Sequence, residues 1–238
     1  MVEFGFEFAG DDGMLPAAMT TLLLATRNRH KTAEIRGILG KDFAYLTLHD
    51  FPDAPRVPED ADTFAANAVR KAVALARWLG AKPDARFTTH APPCFVLADD
   101  SGLEVDALNG APGVHSARFA ALDADRSGNC SDAENNAKLL RLLKDVPAAR
   151  RTARFRCVVA AVTVGRPPSV LGPPQLFEGV CEGRLGFAPR GHNGFGYDPL
   201  FIPAGFTQTF AELGDATKNT LSHRGKALAA LRAALLPA

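Results

Sequence analysis

An apolar run that ends in two adjacent aspartates is the feature that most constrains this chain. The run Phe95–Ala98 has the length and composition of a buried strand, and Asp99 and Asp100 follow it directly. Ser101 and Gly102 come next, which predicts that the strand ends there in a turn. Two neighbouring carboxylates at the end of a buried strand repel each other and lose solvation together. They therefore need a compensating cation or a set of strong hydrogen-bond donors.

This acidic stretch has two interpretations. One is a solvated surface turn, which is what most Asp-Asp-Ser-Gly strings form. The other is a hard-metal site for Mg²⁺, in which one carboxylate is free to polarise a water molecule. Gly110, Pro112 and Gly113 predict a tight, rigid loop soon after the acids. Ser116 and Arg118 then bring polar donors back to the same place, which favours the metal site.

The order of strand and helix patterns predicts a mixed-sheet α/β fold with flanking helices. Besides the acidic strand, the apolar patterns predict strands at 21–26, 43–48, 155–164 and 176–185. Helical patterns lie at 29–39, from 62 or 63 to 79, from 131 to 144, and in a final helix capped by Ser222. Because both hairpin-like and crossover connections occur, the sheet should be mixed. Residues 20–238 form one domain, and residues 1–19, with Gly, Asp and Pro breakers and no apolar period, predict a disordered extension.

The turn from the first strand into the first helix has the parts of an anion-binding site. Residues 26–31 read Thr-Arg-Asn-Arg-His-Lys, and Asn28 is the predicted helix cap. They bring a hydroxyl, an amide, free backbone N–H groups and the ammonium of Lys31 to a helix N-terminus, where anions are stabilised. The spacing is not that of a Walker P-loop, and a well-capped surface helix would explain this turn equally well.

A second group of functional residue types lies in the last third of the chain. Residues 191–199 are too rich in glycine for a regular element, and glycines let the backbone approach a ligand closely. Phe195 and Tyr197 add aromatic faces. His223 and Arg224 fall in the first turn of the last helix, where cations oppose the helix dipole. Helices avoid this arrangement, which indicates an anionic or carbonyl-rich ligand; a purely structural histidine is the alternative.

Composition narrows the classes of partner and the location. The chain has 238 residues, with 27 Lys and Arg against 26 Asp and Glu and a formal net charge of +1. This balance provides no basic excess for nucleic acid. No apolar run is long enough to span a membrane, and no signal peptide is recognisable, so we expect a cytoplasmic protein. The four cysteines form no C-x-x-C pair, which argues against a zinc site or disulfide framework.

Four segments, in this order, resemble the inosine triphosphatase family, the house-cleaning pyrophosphatases of non-standard purine nucleotides. They are TRNRHK (26–31), ADDSGLEVDALNGAPGVHSARFA (98–120), GFGYDPLF (194–201) and SHRGKAL (222–228). The resemblance, from about residue 21 to 236, implies an elongated two-lobed fold with a central cleft, a homodimer, and dependence on Mg²⁺. It also implies hydrolysis of ITP, dITP or XTP to the monophosphate and pyrophosphate, which cleanses the nucleotide pool.

The resemblance also implies roles for individual residues. Asp100 would be the general base, and Asp100 and Asp99 are the candidate metal ligands. The turn at 26–31 would hold the triphosphate, and Phe195 would stack on the purine. His223 and Arg224 would lie near the purine 6-oxygen. The full set of implied substrate-binding residues is Thr26, Arg27, Asn28, Arg29, His30, Lys31, Lys71, Ser101, Phe195, Gly196, Tyr197, Asp198, Lys218, His223 and Arg224.

One position departs from the family pattern. In the family string T-F-x-E-N-x-x-x-K-A, the glutamate is commonly a magnesium ligand, and Ala66 stands in its place here. This predicts an active enzyme that needs unusually high Mg²⁺. It also supports an alternative, a nucleotide-binding sensor that kept the pocket and lost turnover. A further alternative is a pyrophosphatase for modified pyrimidine or 7-methylated nucleotides, against which the SHR and FGYD motifs argue.

Overall fold

The computed structural model describes residues 19–81, 94–123, 128–164 and 171–236, which form a mixed sheet with helices on both faces. The predicted extension, apart from Met19, and most of the proline-rich segment before the acidic strand lie outside these ranges. The strands are β1 (Thr21–Leu24), β2 (Ala44–Thr47), β3 (Cys94–Val105), β4 (Thr152–Val164), β5 (Gln175–Leu185) and β6 (Phe201–Pro203). The helices are α1 (Arg29–Leu39), α2 (Phe64–Gly80), α3 (Asp132–Leu142), α4 (Phe210–Leu213), α5 (Asp215–Leu221) and α6 (His223–Leu235).

The six strands follow the order β2-β1-β3-β4-β5-β6. β1 runs parallel to both β2 and β3, whereas the pairs from β3 to β6 are antiparallel. The prediction of a mixed α/β fold is therefore confirmed. In the described part of the chain, no helix is long and apolar enough to cross a membrane.

The acidic strand is longer than predicted. We expected it to end at the two aspartates, but β3 continues through Ser101 and Gly102 to Val105. Over this whole length it pairs with β4, from Cys94 opposite Val164 to Val105 opposite Ala153. The turn preference of the local sequence is overridden by pairing with a long central strand, because sheet propensity depends strongly on tertiary context.

Local capping signals explain where the helices begin. The side chains of Asn28, Thr63 and Ser222 accept backbone hydrogen bonds in the first turns of α1, α2 and α6. Ser131 and Glu134 form the predicted capping box at the start of α3. Each cap satisfies backbone donors that the helix itself leaves without partners.

Three apolar clusters hold the layers together. One packs α2 against one face of β1, β3 and β4, and a second packs α1 and α6 against the opposite face of these strands. The third lies toward the far ends of β3 and β4, with α3 and β6. β3 and β4, the two longest strands, contribute to all three clusters. The segment 99–101 of β3 therefore lies where the clusters meet.

Candidate functional site

A cleft of about 580 Å³ opens along the edge of β3 just beyond the end of β1. β1 pairs with β3 only as far as Leu97, and the next partner on that edge is the bridge between Glu104 and Pro112. Between these two points, this edge of β3 pairs with no other described strand, whereas the opposite edge pairs with β4. Asp99 and Asp100 face opposite sides of the sheet because side chains alternate along a strand. Around an open edge, residues of both faces can contribute to one cleft.

Asp100 lies buried in the wall of this cleft. Its Oδ2 accepts a hydrogen bond of 2.9 Å from Nδ2 of Asn67, in the first turn of α2. Burial raises the pKa of Asp100 above its ordinary value, and Lys71, Lys31 and the Asn67 hydrogen bond offset only part of this effect. A carboxylate whose pKa is moved toward neutrality is suited to act as a general base. We did not predict Asn67, although the T-F-x-E-N string contains it.

Asp99 has very different surroundings. Its Oδ2 accepts hydrogen bonds from Ser101 Oγ at 2.9 Å and Arg224 at 3.0 Å, and lies 3.1 Å from Lys31 Nζ. Burial alone would raise the pKa of Asp99, but Lys31, Arg224 and Lys71 together hold it far below its ordinary value. Asp99 thus fixes two cations, and it is not among the residues that line the cleft. Its assignment as a metal ligand stays a prediction.

Lys71 joins the cleft to a second carboxylate. Its Nζ donates to the backbone oxygen of Asp99 at 2.6 Å and to Glu59 at 2.8 Å, and Lys71 lines the cleft. Arg118 donates to the backbone oxygen of Glu59 at 2.9 Å. Glu59 lines the cleft, and its negative charge also raises the pKa of Asp100, by less than burial does. Asp100 and Glu59 are therefore two carboxylates of one cleft.

Two carboxylates are too few to bind a metal ion through protein ligands alone, but they suit a magnesium ion. In the described ranges, no group of three or more His, Cys, Asp or Glu residues could hold a metal. Mg²⁺ usually binds one or two carboxylates and completes its coordination with substrate phosphates and water. Oxygen donors from Asp100 and Glu59 meet this requirement.

Ala66 does not leave a gap at the metal site. It is exposed in the first turn of α2 and does not line the cleft, whereas the next residue, Asn67, is buried and contacts Asp100. Successive helical residues differ by about 100° in direction, so position 66 points elsewhere. The exposed position of Ala66 therefore argues against a weakened metal site, and it gives the sensor alternative no support.

The turn after β1 uses more of its own backbone amides in internal hydrogen bonds than we predicted. Asn28 Oδ1 accepts the backbone N–H groups of His30 at 2.9 Å and Lys31 at 3.2 Å, and Thr26 Oγ1 accepts that of Asn28 at 3.1 Å. We expected these amides to be free for an anion, but the cap uses them. The turn therefore offers a ligand mainly side chains.

Four of the six predicted residues of this turn line the cleft: Thr26, Arg27, Asn28 and Lys31. Arg27 also donates to the backbone oxygen of Ala54 at 2.8 Å, which ties the turn to the loop after β2. Arg29 and His30 do not line it.

Glu34 is a functional candidate that the sequence did not suggest to us. From α1 it reaches across to both Lys218 and Arg224, with each contact at 2.5 Å. Lys218 Nζ also contacts Asp198 at 2.5 Å. Burial would lower the pKa of Lys218, but Asp198 and Glu34 more than reverse this and raise it. Glu34 lies three residues after Lys31, so the two share one helix face, a signal that could have indicated it.

The glycine-rich loop after β5 presents Phe195 to the cleft. Its ring stacks on His30, with centroids 5.4 Å apart, and Lys218 Nζ and the Arg224 guanidinium carbon lie 4.9 and 5.8 Å from its centroid. Tyr197 instead points into the core, where its hydroxyl donates to the backbone oxygen of Ser116 at 2.9 Å. Both residues line the cleft, but Tyr197 is buried, so Phe195 is the more exposed aromatic ring of this loop.

His223 and Arg224 are both buried at the start of α6 and line the cleft. Burial, followed by the charges of Arg224 and Lys218, lowers the pKa of His223 well below its ordinary value, so its ring is neutral. The ring stacks on Phe155 with a centroid distance of 4.7 Å. In the described structure, His223 Nδ1 and Arg224 Nε are buried without a hydrogen-bond partner. Buried polar atoms without a partner are uncommon in folded proteins, and both of these belong to residues that line the cleft.

The fold and the cleft define an α/β protein suited to an anionic ligand that carries an aromatic ring. Carboxylates, cations and Phe195 converge on one open edge of its sheet. The chain belongs to the Ham1 family, whose model matches residues 22–234. The family resemblance drawn from the four motifs is thereby confirmed.

Named relatives and solved structures agree with this assignment. The chain is 46% identical over 215 residues to the dITP/XTP pyrophosphatase of Geobacter sulfurreducens, covering 90% of this chain and 96% of that protein. It is 47% identical over 208 residues to the dITP/XTP pyrophosphatase of Desulforamulus reducens, covering 87% and 91% of the two chains. A HAM1 protein structure from Coxiella burnetii is 36% identical, with a TM-score of 0.73 over 92% of this chain and all of the other. A nucleoside-triphosphatase / dITP/XTP pyrophosphatase from Mycobacterium abscessus is 40% identical, with a TM-score of 0.63 and the same coverage.

Proposed function

We propose that this protein is a Mg²⁺-dependent pyrophosphatase of non-standard purine nucleoside triphosphates, which converts dITP, XTP or ITP into the monophosphate and pyrophosphate. The observation that carries the proposal is the convergence of two groups in one cleft. A buried carboxylate with a raised pKa, Asp100, lies there together with an aromatic and cationic wall formed by Phe195, His223 and Arg224. The names of the relatives support the same substrates.

The triphosphate would lie toward the turn after β1. Thr26, Asn28 and Lys31 line this part of the cleft, and Lys71 lies on the other side of β3. A triphosphate carries about four negative charges, and each charge-assisted hydrogen bond contributes roughly 1.5–3 kcal/mol. Lys218 contacts Glu34 and Asp198, and its Nζ lies 4.9 Å from the Phe195 ring centroid. It would therefore belong to the wall beside Phe195.

Asp100 and Glu59 would hold the magnesium ion from the protein side. When bound, the ion would neutralise charge on the phosphate oxygens. The remaining charge stabilisation comes from the lysines of the cleft. Because phosphoryl transfer needs little covalent participation by the protein, positioning and charge neutralisation supply most of the catalysis.

Asp100 would accept the proton of the attacking water. A bond forms between the water oxygen and the α-phosphorus, and the bond from that phosphorus to the bridging oxygen breaks. Pyrophosphate leaves with the bridging oxygen. Asn67 keeps the Asp100 carboxylate oriented, since its amide donates to one carboxylate oxygen and leaves the other for the water.

The base would be recognised by the first turn of α6. A 6-keto oxygen accepts hydrogen bonds, and the guanidinium of Arg224, which lines the cleft, is a hydrogen-bond donor. Neutral His223 can donate from one ring nitrogen. Adenine presents an amino group at this position and would leave buried donors unpaired, so ATP should be rejected strongly.

The test is pyrophosphate release from a panel of dITP, XTP, ITP, GTP, ATP and modified pyrimidine triphosphates, with Asp100→Asn as the matched inactive control. We expect hydrolysis of the deaminated purines at rates far above ATP. Loss of the general base should lower kcat by about 10²–10⁴-fold. Equal rates with ATP and dITP would refute the proposal, and tight dITP binding without release would indicate a sensor.

We further propose, from the family resemblance, that the protein works as a cytoplasmic homodimer that cleanses the nucleotide pool. Light scattering of the purified protein tests the dimer. Accumulation of dITP after deletion of the gene tests the cellular role.

A further inference from the structure

The backbone around Phe195 is fixed by hydrogen bonds. The N–H of Phe195 donates to Asp198 Oδ2 at 2.9 Å. The next residue, Gly196, donates its N–H to Asp132 at 2.6 Å and accepts from the Asn136 amide at 2.9 Å. These contacts position the peptide groups of the loop, but none of them sets the plane of the phenyl ring.

The ring itself contacts the cations of Lys218 and Arg224, and it is stacked on the imidazole of His30. The His30 imidazole lies nearly parallel to the Phe195 ring, with an interplanar angle of 20° and a centroid distance of 5.4 Å. The backbone of His30 is fixed, because its backbone N–H donates to Asn28 Oδ1 at 2.9 Å in the first turn of α1. Offset stacking at this distance is a favourable geometry for two aromatic rings.

This stack joins two parts of the cleft that are far apart in sequence. His30 belongs to the turn that carries Thr26 and Lys31, whereas Phe195 belongs to the loop after β5. Because both backbones are fixed, the stack sets the position of the aromatic wall relative to the phosphate-binding turn. Phe195 lines the cleft and His30 does not, so a ligand in the cleft can contact the Phe195 ring directly.

We propose that His30 is a positioning residue for the nucleotide base: its imidazole holds the Phe195 ring in the plane on which the purine stacks. This inference rests on the proposed function, and it replaces the expectation that His30 binds the triphosphate. It predicts that binding of the base requires an aromatic ring at position 30 and does not require a hydrogen-bond donor there.

Two variants separate these properties. His30→Gln keeps a polar, hydrogen-bonding side chain and removes the ring, whereas His30→Phe keeps a ring and removes the polar atoms. His49→Gln, at an exposed histidine that does not line the cleft, is the matched control. Isothermal titration calorimetry with IMP and with inorganic tripolyphosphate measures the base and phosphate contributions without turnover.

We expect His30→Gln to weaken IMP binding by roughly two- to tenfold, as for the loss of an aromatic pair. Its affinity for tripolyphosphate should equal that of the unaltered protein. His30→Phe should restore most of the IMP affinity, and KM for dITP should rise in His30→Gln while kcat changes little. A phosphate-binding histidine would give the opposite pattern, with both variants losing tripolyphosphate affinity.

Two results would overturn the proposal: unchanged IMP affinity in His30→Gln, or a His30→Phe variant as weak as His30→Gln. Melting temperatures of all three variants show whether any loss reflects unfolding. Failure of the proposed function is a separate outcome, because it would appear as absence of dITP hydrolysis by the unaltered protein. The IMP affinities of the variants would still test the role of His30 in that case.

Discussion

Adding one methyl group at Gly179 should misplace the residues proposed to recognise the base. Gly179 lies in β5 directly beneath the first turn of α6. A Cβ atom there would lie 2.0 Å from the His223 carbonyl oxygen and 2.7 Å from the Ala227 nitrogen. Ordinary van der Waals contact begins at 3.4 Å, so the helix would have to retreat by about 1.4 Å. The atoms that clash are backbone, and no rotamer change can relieve the contact.

The expected size of the effect follows from that displacement. A misplacement of about 1 Å in a catalytic constellation can cost about 10²-fold in rate. We therefore expect Gly179→Ala to lower kcat/KM for dITP by about 10²-fold. Because His223 and Arg224 move together, the preference for dITP over dATP should also narrow. Overpacking costs about 1–3 kcal/mol, which corresponds to a fall in Tm of several degrees for a chain of this size.

The assay is steady-state pyrophosphate release with dITP and dATP, together with a thermal melt. Gly186→Ala is the matched control, because a Cβ at Gly186 would meet its nearest atom at 3.5 Å, an ordinary contact. If Gly179→Ala retains both the kcat/KM and the substrate preference of the unaltered protein, α6 does not rest on β5 as described. The placement of the base-recognition residues would then be wrong.

Three further predictions concern the acid–base group, the metal and the N-terminus. Asn67→Ala removes a hydrogen bond that lowers the pKa of Asp100, so that pKa should rise and the acidic limb of the kcat/KM profile should move to higher pH. The rate on this limb should fall about tenfold or more, with a smaller loss at alkaline pH, and an equal loss at every pH would contradict the assignment. Glu59→Gln should raise the Mg²⁺ concentration for half-maximal rate several-fold, whereas Ala66→Glu should leave it unchanged. A Mg²⁺ titration with dITP measures both values. A lower Mg²⁺ requirement in Ala66→Glu, with no change in Glu59→Gln, would show that position 66 belongs to the metal site. Deletion of residues 1–18 should leave kcat/KM and Tm nearly unchanged, and a loss of several degrees would show that the segment is docked.

Much of the architecture could be predicted because its signals are local. The cap at Asn28 and the capping box at Ser131 each depend on a few adjacent residues, and the helices begin where these caps predict. The apolar core of 155–164 predicts a strand, and this strand pairs as β4 with β5, which contains the strand predicted at 176–185. Such signals need no knowledge of the rest of the chain.

Partners that are distant in the sequence could not be predicted in this way. Glu34 meets residues that lie 184 and 190 positions further along the chain, and only the packing of α1 beside α5 and α6 brings them together. Asn67 reaches Asp100 across 33 positions because α2 packs on the same face of β3. The sequence around each residue can mark it as a candidate, but it does not specify its distant partner.

The two adjacent aspartates show the division most clearly. The sequence by itself determined that a pair of carboxylates lies in a buried strand and must be compensated. It could not determine how, because their different roles arise from the alternation of side chains in a strand that continues instead of turning. Asp99 faces Lys31 and Arg224, which lower its pKa against the effect of burial, whereas Asp100 faces Asn67 and keeps a raised pKa because burial prevails. Tertiary structure decided which carboxylate is locked in ion pairs and which can accept a proton, since that depends on the elements packed against each face of the sheet.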